Sequence, residues 1–298
     1  MSELDNTFDA QSIALSPLSL DNDEQKPEYW TDDGNGWQDG YTLRQRVYPD
    51  GQCEVSVCKD RHFVGAAMPL KPRAKRGESD KRESNDDDAG RRAKKKVREC
   101  CKTIGADRLV TLTYRENMVD RATALKHFDA FRRRLGKVAD FHYVAVIEEQ
   151  ERGALHFHIA VRGRQNYVLL RSIWQRVLGL GPTGEQMGQV NVRDPHRFGF
   201  GQTGAHKLAS YIAKYCSKQM DARQLDQKRY FRSRGIVVPD VYTIRLHCTS
   251  MLGAVQAAFT VIAQYGLEGI QTWCNNGLGV VWLASAPRSK GLDMSCPF

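Results

Sequence analysis

The sequence predicts an α+β protein whose central part is a β-α-β-β-α-β unit with one further helix appended. Three observations carry that prediction. Leu155-His156-Phe157-His158-Ile159-Ala160-Val161 alternates with period two, as a strand with two different faces does. Leu125, Phe128, Phe131 and Leu135, and later Leu170, Ile173, Trp174, Val177 and Leu178, recur at helical spacing on either side of short strand-like runs. Residues 206–218 then form an amphipathic pattern, with Leu208, Ala209, Ile212, Ala213 and Cys216 on one stripe and Lys207, Tyr211, Lys214, Tyr215 and Lys218 on the other.

Taken in order, residues 1–70 form an acidic region. Its first forty residues are rich in Asp, Asn and Gly, with Trp30 and Trp37 as the only large anchors. Tyr41–Tyr48 and Gln52–Cys58 read as strands joined by the turn Pro49-Asp50-Gly51, which predicts a hairpin. Residues 71–98 mix charge blocks with Ser, Gly and Asp and predict a disordered charged linker. The main domain spans 99–235. A strand at Leu109–Tyr114 is followed by a helix from Asp120 to Leu135, then by a strand from Phe141 to Glu149 that turns at Arg152-Gly153 into the histidine strand. The second helix and a strand at Gln189–Val192 complete the ferredoxin-like split β-α-β antiparallel sheet, and the tyrosine helix follows. Gly199–Gly204 matches GxGxxG without opening a βαβ unit and reads as a flexible loop. Ala205 stands where a Walker lysine would be, so the chain shows no helicase motif of its own. Residues 236–298 read as an α/β extension with a helix from Met251 to Tyr265 and a strand near Gly279–Leu283.

Charge narrows the choice of partners. The formal charge of +9 is uneven: residues 1–70 hold 5 basic and 13 acidic side chains, 71–98 hold 12 and 6, and 99–298 hold 27 and 16. Positive charge on and beside the main domain suits a polyphosphate backbone. Lys228-Arg229-Tyr230-Phe231-Arg232 interleaves cations and rings, as single-stranded DNA binding requires, with Arg229, Tyr230 and Arg232 joining Lys207 and Lys218 as candidate contacts. No run reaches the roughly 18 apolar residues of a membrane helix, and Met1–Ala10 lacks a basic start and apolar core, so a cytoplasmic protein with no membrane partner is expected. Eight scattered cysteines without a CxxC pair read as reduced thiols.

The histidine strand suggests metal chemistry. His156 and His158 share one strand face, about 6.6 Å apart, close enough for both imidazoles to lean onto one divalent cation. Tyr211 and Tyr215, one helical turn apart among lysines, suggest paired nucleophiles aimed at a phosphate.

Three segments in order resemble the HUH endonuclease superfamily, and specifically its rolling-circle replication initiators of the two-tyrosine type found in phages and plasmids. They are Arg108–Tyr114, Glu148–His158 and Tyr211–Tyr215, and the likeness extends over residues 107–235. The histidines precede the tyrosines, whereas conjugative relaxases of the superfamily generally show the reverse order. The resemblance implies metal-dependent nicking and rejoining of single-stranded origin DNA in a bacterial host cell. Tyr211 or Tyr215 would form a 5′-phosphotyrosine link, Lys214 would neutralise the phosphate, and a host helicase and DNA polymerase would act on the free 3′ end. Mg²⁺ or Mn²⁺ would be held by His156, His158 and an acid. The family pattern of acid, any residue, Gln, any residue, Arg-Gly points to Glu148, which a three-residue loop before the histidines would also favour, whereas a two-residue loop would favour Glu149. A transposase of the same superfamily, a hydrolase that uses the histidines with water, and a non-catalytic DNA-binding protein are the competing functions.

Overall fold

A computed structural model describes residues 31–32, 36–65, 74–75, 78–193, 204–215, 227–246, 248 and 250–287, with only the backbone described at 31–32 and 204–207. Lys218, the cysteine at 216 and residues 1–30 lie outside the described residues, as does the glycine loop up to Thr203. The side chain of Lys207 lies outside them as well. The chain divides into two compact units, one of residues 1–45, 54–67 and 242–285 and one of residues 46–53, 68–241 and 286–298.

The larger unit is built on the expected split motif. Strand β4 (Arg108–Tyr114), helix α2 (Arg121–Leu135), strands β5 (Tyr143–Glu149) and β6 (Leu155–Val161), helix α3 (Tyr167–Leu178) and strand β7 (Gly188–Arg193) follow one another. With β8 (Phe231–Arg232) they form an antiparallel sheet in the order β7-β4-β6-β5-β8. Local chemistry starts the helices where the sequence changes character. The Asp120 carboxylate accepts from the backbone N–H groups of Ala122 and Thr123 at 3.0 and 3.1 Å, and Asn166 does the same for Leu169 at 3.0 Å. The α3 helix stops at Gly179, whose φ of +77° is open to glycine at no steric cost.

Each sheet face has its own core. On one, Val110, Leu112, Phe157 and Ile159 pack beneath Phe128, Phe131 and Trp174 of α2 and α3. Phe128 stacks on Phe157 with ring centroids 4.7 Å apart. On the other face, Leu109, Val144, Val146 and Ala160 meet helix α1 (Arg82–Thr103) and helix α4 (Gly204–Lys214), which also pack on each other.

Helix α1 corrects the reading of residues 71–98 as a disordered linker. Its buried stripe, Gly90, Ala93, Val97, Cys100 and Cys101, is made of small residues, so a pattern search for large apolar side chains passes over it. The charged residues that suggested a linker cover its outer face.

In the other unit the predicted hairpin is present and longer, as β2 (Trp37–Val47) and β3 (Cys53–Phe63), with Gly51 at φ +79° in the turn. It does not stand apart as an N-terminal region. Its sheet runs from β1 (Thr31–Asp32) through β2, β3 and β11 (Val280–Ala284) to β10 (Gln271–Asn275), and β9 (Tyr242–Leu246) also pairs with β2. The hairpin and the C-terminal strands, separated in the sequence reading, are thus one sheet. Helix α5 (Met251–Ala263), capped by Ser250, packs on β11. Among the described residues no helix is long and apolar enough to cross a membrane, and Cys53, Cys58, Cys100, Cys101, Cys248 and Cys274 are free thiols.

Candidate active site

The β5–β6 hairpin decides which acid accompanies the histidines. Gln150 N–H donates to Ala154 O at 2.9 Å and Gly153 N–H to Gln150 O at 2.8 Å, so Glu151, Arg152 and Gly153 form a three-residue loop with Gly153 at φ +81°. Asn117 braces that loop by donating to Arg152 O at 3.0 Å. The resulting register sets Glu148 directly opposite His156 and Val146 opposite His158. Glu148 therefore shares the histidine face, and Glu149 points to the other.

On that face His158 is the hub. Its Nε2–H donates to Glu148 Oε2 at 2.6 Å, and Nδ1 lies 3.3 Å from the Thr111 hydroxyl on the neighbouring strand. The two partners favour one tautomer, with the proton on Nε2. The ring is 6% exposed, and the tyrosines of α4 enclose it. Tyr215 stacks on it with centroids 4.8 Å apart and planes 12° apart, while Tyr211 meets it edge-on at 6.0 Å. Tyr211 and Tyr215 are 5.2 Å apart at 82°.

The tyrosines do not share one environment, contrary to the single exposed stripe of the sequence reading. Helix α4 ends at Lys214, and Tyr215 lies in the turn beyond it, its N–H donating to Ile212 O at 3.2 Å. Tyr215 is 7% exposed and packs with Ile212 and Ala213, whereas Tyr211 is 40% exposed. Burial, then a hydrogen bond with Tyr211 and the nearby Glu148 charge, push the Tyr215 hydroxyl well above the ordinary tyrosine range. Lys214 lies between them in sequence and is exposed on the helix surface.

His156 stands apart from the hub. Gln150 donates to its Nδ1 at 3.2 Å, an orienting contact absent from the sequence reading although Gln150 belongs to the matching motif. Burial and then the neighbouring His158 hold the His156 imidazole below its usual pKa, which favours the neutral, ligating form. Among the described residues no three His, Cys, Asp or Glu side chains converge as a ready ligand set. The chemistry of the donors still fits a divalent cation: one carboxylate and two imidazoles on one sheet face, with the Glu148–His158 proton occupying a contact whose two heavy atoms become donors when it leaves.

The predicted DNA contacts distribute differently. Arg229 pairs with Asp86 of α1 and also donates to the Asp86 carbonyl at 3.2 Å; its side chain is 9% exposed, which makes it a brace between segments rather than a surface cation. Arg232 donates to Ile236 O at 2.7 Å, and Tyr230 packs at the margin of the α1–α4 core. Phe231 faces the opposite core, 5.9 Å from Phe128, and is taken up by packing. A cleft of about 210 Å³ opens instead beside His158 and Tyr211, lined by Thr111 and Thr113 of β4 and Gln189, Asn191 and Arg193 of β7.

Comparison with known proteins agrees with this site. Residues 107–220, which hold the histidine strand and the tyrosine helix, match the family of the replication-associated protein ORF2. That match supports a replication initiator type of protein. No curated protein and no solved structure matches the chain.

Proposed function

We propose that the chain initiates rolling-circle replication by nicking and rejoining single-stranded origin DNA through a 5′-phosphotyrosine intermediate. The observation that carries this reading is the convergence on His158 of Glu148, at 2.6 Å, and of both tyrosine rings. The family match over the same residues supports it. A structural histidine does not need two tyrosines around it, and a water-using hydrolase does not need any.

The chemistry follows from the groups present. A tyrosine oxygen attacks phosphorus, the bond to the 3′ oxygen breaks, and the tyrosine proton is in net terms delivered to that leaving oxygen, giving a 3′-hydroxyl and a protein-linked 5′ phosphate. When bound by Glu148, His156 and His158, Mg²⁺ or Mn²⁺ supplies positive charge beside the phosphate oxygens. Thr111 and Glu148 hold the His158 ring in one orientation, Gln150 holds that of His156, and Lys214 supplies a cation near the tyrosines. The phosphotyrosine bond retains the energy of the cut linkage, so attack by a 3′-hydroxyl restores the DNA without another energy source. Extension and unwinding fall to a separate host polymerase and helicase.

The test is covalent capture. Incubation with single-stranded DNA of its replicon and Mn²⁺ is expected to leave a protein-linked 5′ end, and His156→Ala with His158→Ala is expected to abolish it while binding persists, because phosphate contacts come chiefly from other residues. Cleavage with no linked protein would instead identify water as the nucleophile, and undiminished nicking in excess chelator would remove the metal from the reading.

A further inference from the structure

We infer that the β4–β7 side of the sheet is the track for the substrate strand, with Gln189 and Asn191 reading its bases and Arg193 holding its backbone; this deepens the nicking reading and rests on it for the position of the cut. The juxtaposition is set by register. His158 of β6 stands opposite Thr111 of β4, and Thr111 opposite Asn191 of β7, so the three form one row across the sheet. At about 4.8 Å per strand, Asn191 lies roughly 10 Å from the catalytic histidine. Thr113 faces Gln189 one step along, and Leu109 faces Arg193 on the other side. These side chains, with Tyr211 and His158, line the same cleft.

The chemistry of the row selects the ligand. Strand β7 alternates buried Gly188 and Val190 with exposed Gln189, Asn191 and Arg193, and among the described residues none of those three side chains is tied to another side chain. A fold has no use for two neighbouring amides held outward above an active-site cleft. A carboxamide offers a donor and an acceptor side by side, which matches the paired groups of a base edge. An unpaired strand leaves those edges open, while a duplex would hide the Watson–Crick edges. A phosphate seated between His158 and Tyr211 would leave the neighbouring nucleotide over Thr111 and Asn191. The basic-aromatic run at 228–232, which sequence alone favours for this task, is at the opposite margin of the sheet, on the β8 side.

The experiment uses the full chain and a pool of single-stranded oligonucleotides randomised over a short window. One arm captures covalent adducts in Mn²⁺ and the other retains bound strands in chelator; strands from both are sequenced. Asn191→Ala and Gln189→Ala are each expected to relax base preference at one or two positions by about ten- to a hundredfold while total capture persists. Arg193→Ala is expected to weaken retention of every sequence and to lower the salt slope by about one. The three positions are exposed, and an unchanged melting temperature confirms the fold of each variant. The same base preference in the parent and both amide variants, or no base preference in the parent, overturns the inference. Selection in chelator that depends on β7, with no adduct in Mn²⁺, sinks the nicking reading and leaves the track standing.

Discussion

Tyr211 is expected to make the first cut and Tyr215 to act second. Both side chains approach His158, but Tyr215 is stacked flat on its ring and 7% exposed, whereas Tyr211 is edge-on, 40% exposed and part of the cleft lining. For Tyr215 to reach a phosphate in that cleft it must leave the stack, worth about 0.5–1.5 kcal/mol for a ring pair. It must also give up its hydrogen bond with Tyr211, worth about another 0.5–1.5 kcal/mol. The sum of about 1–3 kcal/mol corresponds to first cleavage roughly 5- to 150-fold slower from Tyr215 than from Tyr211. Single-turnover cleavage of an end-labelled oligonucleotide in Mn²⁺ measures this, with the linked tyrosine located by peptide mass. Tyr215→Phe should cut near the parental rate and fail in closing circles, Tyr211→Phe should cut slowly, and the double variant should form no adduct. A first adduct located on Tyr215, or parental cutting by Tyr211→Phe, would refute the order.

Two further outcomes test the scaffold. Trp174 is fully buried and its Nε1–H donates to Thr113 O at 3.0 Å, so Trp174→Ala should cost about 3–5 kcal/mol in urea unfolding, and a loss under about 1 kcal/mol would contradict the α2–α3 core. His127 lies against Tyr114 and Trp174 with Nδ1 buried and unpartnered, and desolvation holds its pKa below the usual value. The unfolded chain therefore binds more protons in the interval between the two pKa values; the stabilisation is complete above about pH 6.5 and is lost as pH falls through the lower folded value. Unfolding free energy of the parent should drop more steeply from pH 7 to pH 5 than that of His127→Leu, and equal slopes would remove His127 from the account.

Local periodicity made the split motif legible. Leu155–Val161 alternates because its two faces meet different things, and the helices of the α2–α3 layer carry large apolar residues at helical spacing. What depended on distant partners was not legible. Helix α1 buries Ala93, Val97 and Cys100 rather than large residues, so its charged outer face dominated the pattern. Arg229 reads as a surface cation until Asp86, 143 residues away, is brought beside it. The hairpin is complete in the sequence, yet nothing local indicates that β11 and β9 will flank it. In the site, Gly153 allowed either loop length, and the choice between Glu148 and Glu149 was settled by the Gln150–Ala154 pairing.

The small-residue stripe of α1 also explains how the tyrosines come so near the histidine strand. Ala93 and Val97 let α1 pack closely with α4, whose own buried side supplies Ala209, Ile212 and Ala213. Beneath them the sheet offers Ala160 and Val146, again small or branched residues in place of rings. The opposite face is filled by Phe128, Phe131, Phe157 and Trp174, which hold α2 and α3 farther from the strands. The sheet is thus thick on its structural side and thin on its chemical side. Only on the thin side can a helix-borne phenol reach 4.8 Å from an imidazole that itself rises from a strand. Enlarging Ala209 or Ala213 would lift α4 and separate the two halves of the site while every proposed ligand and nucleophile remained in the sequence.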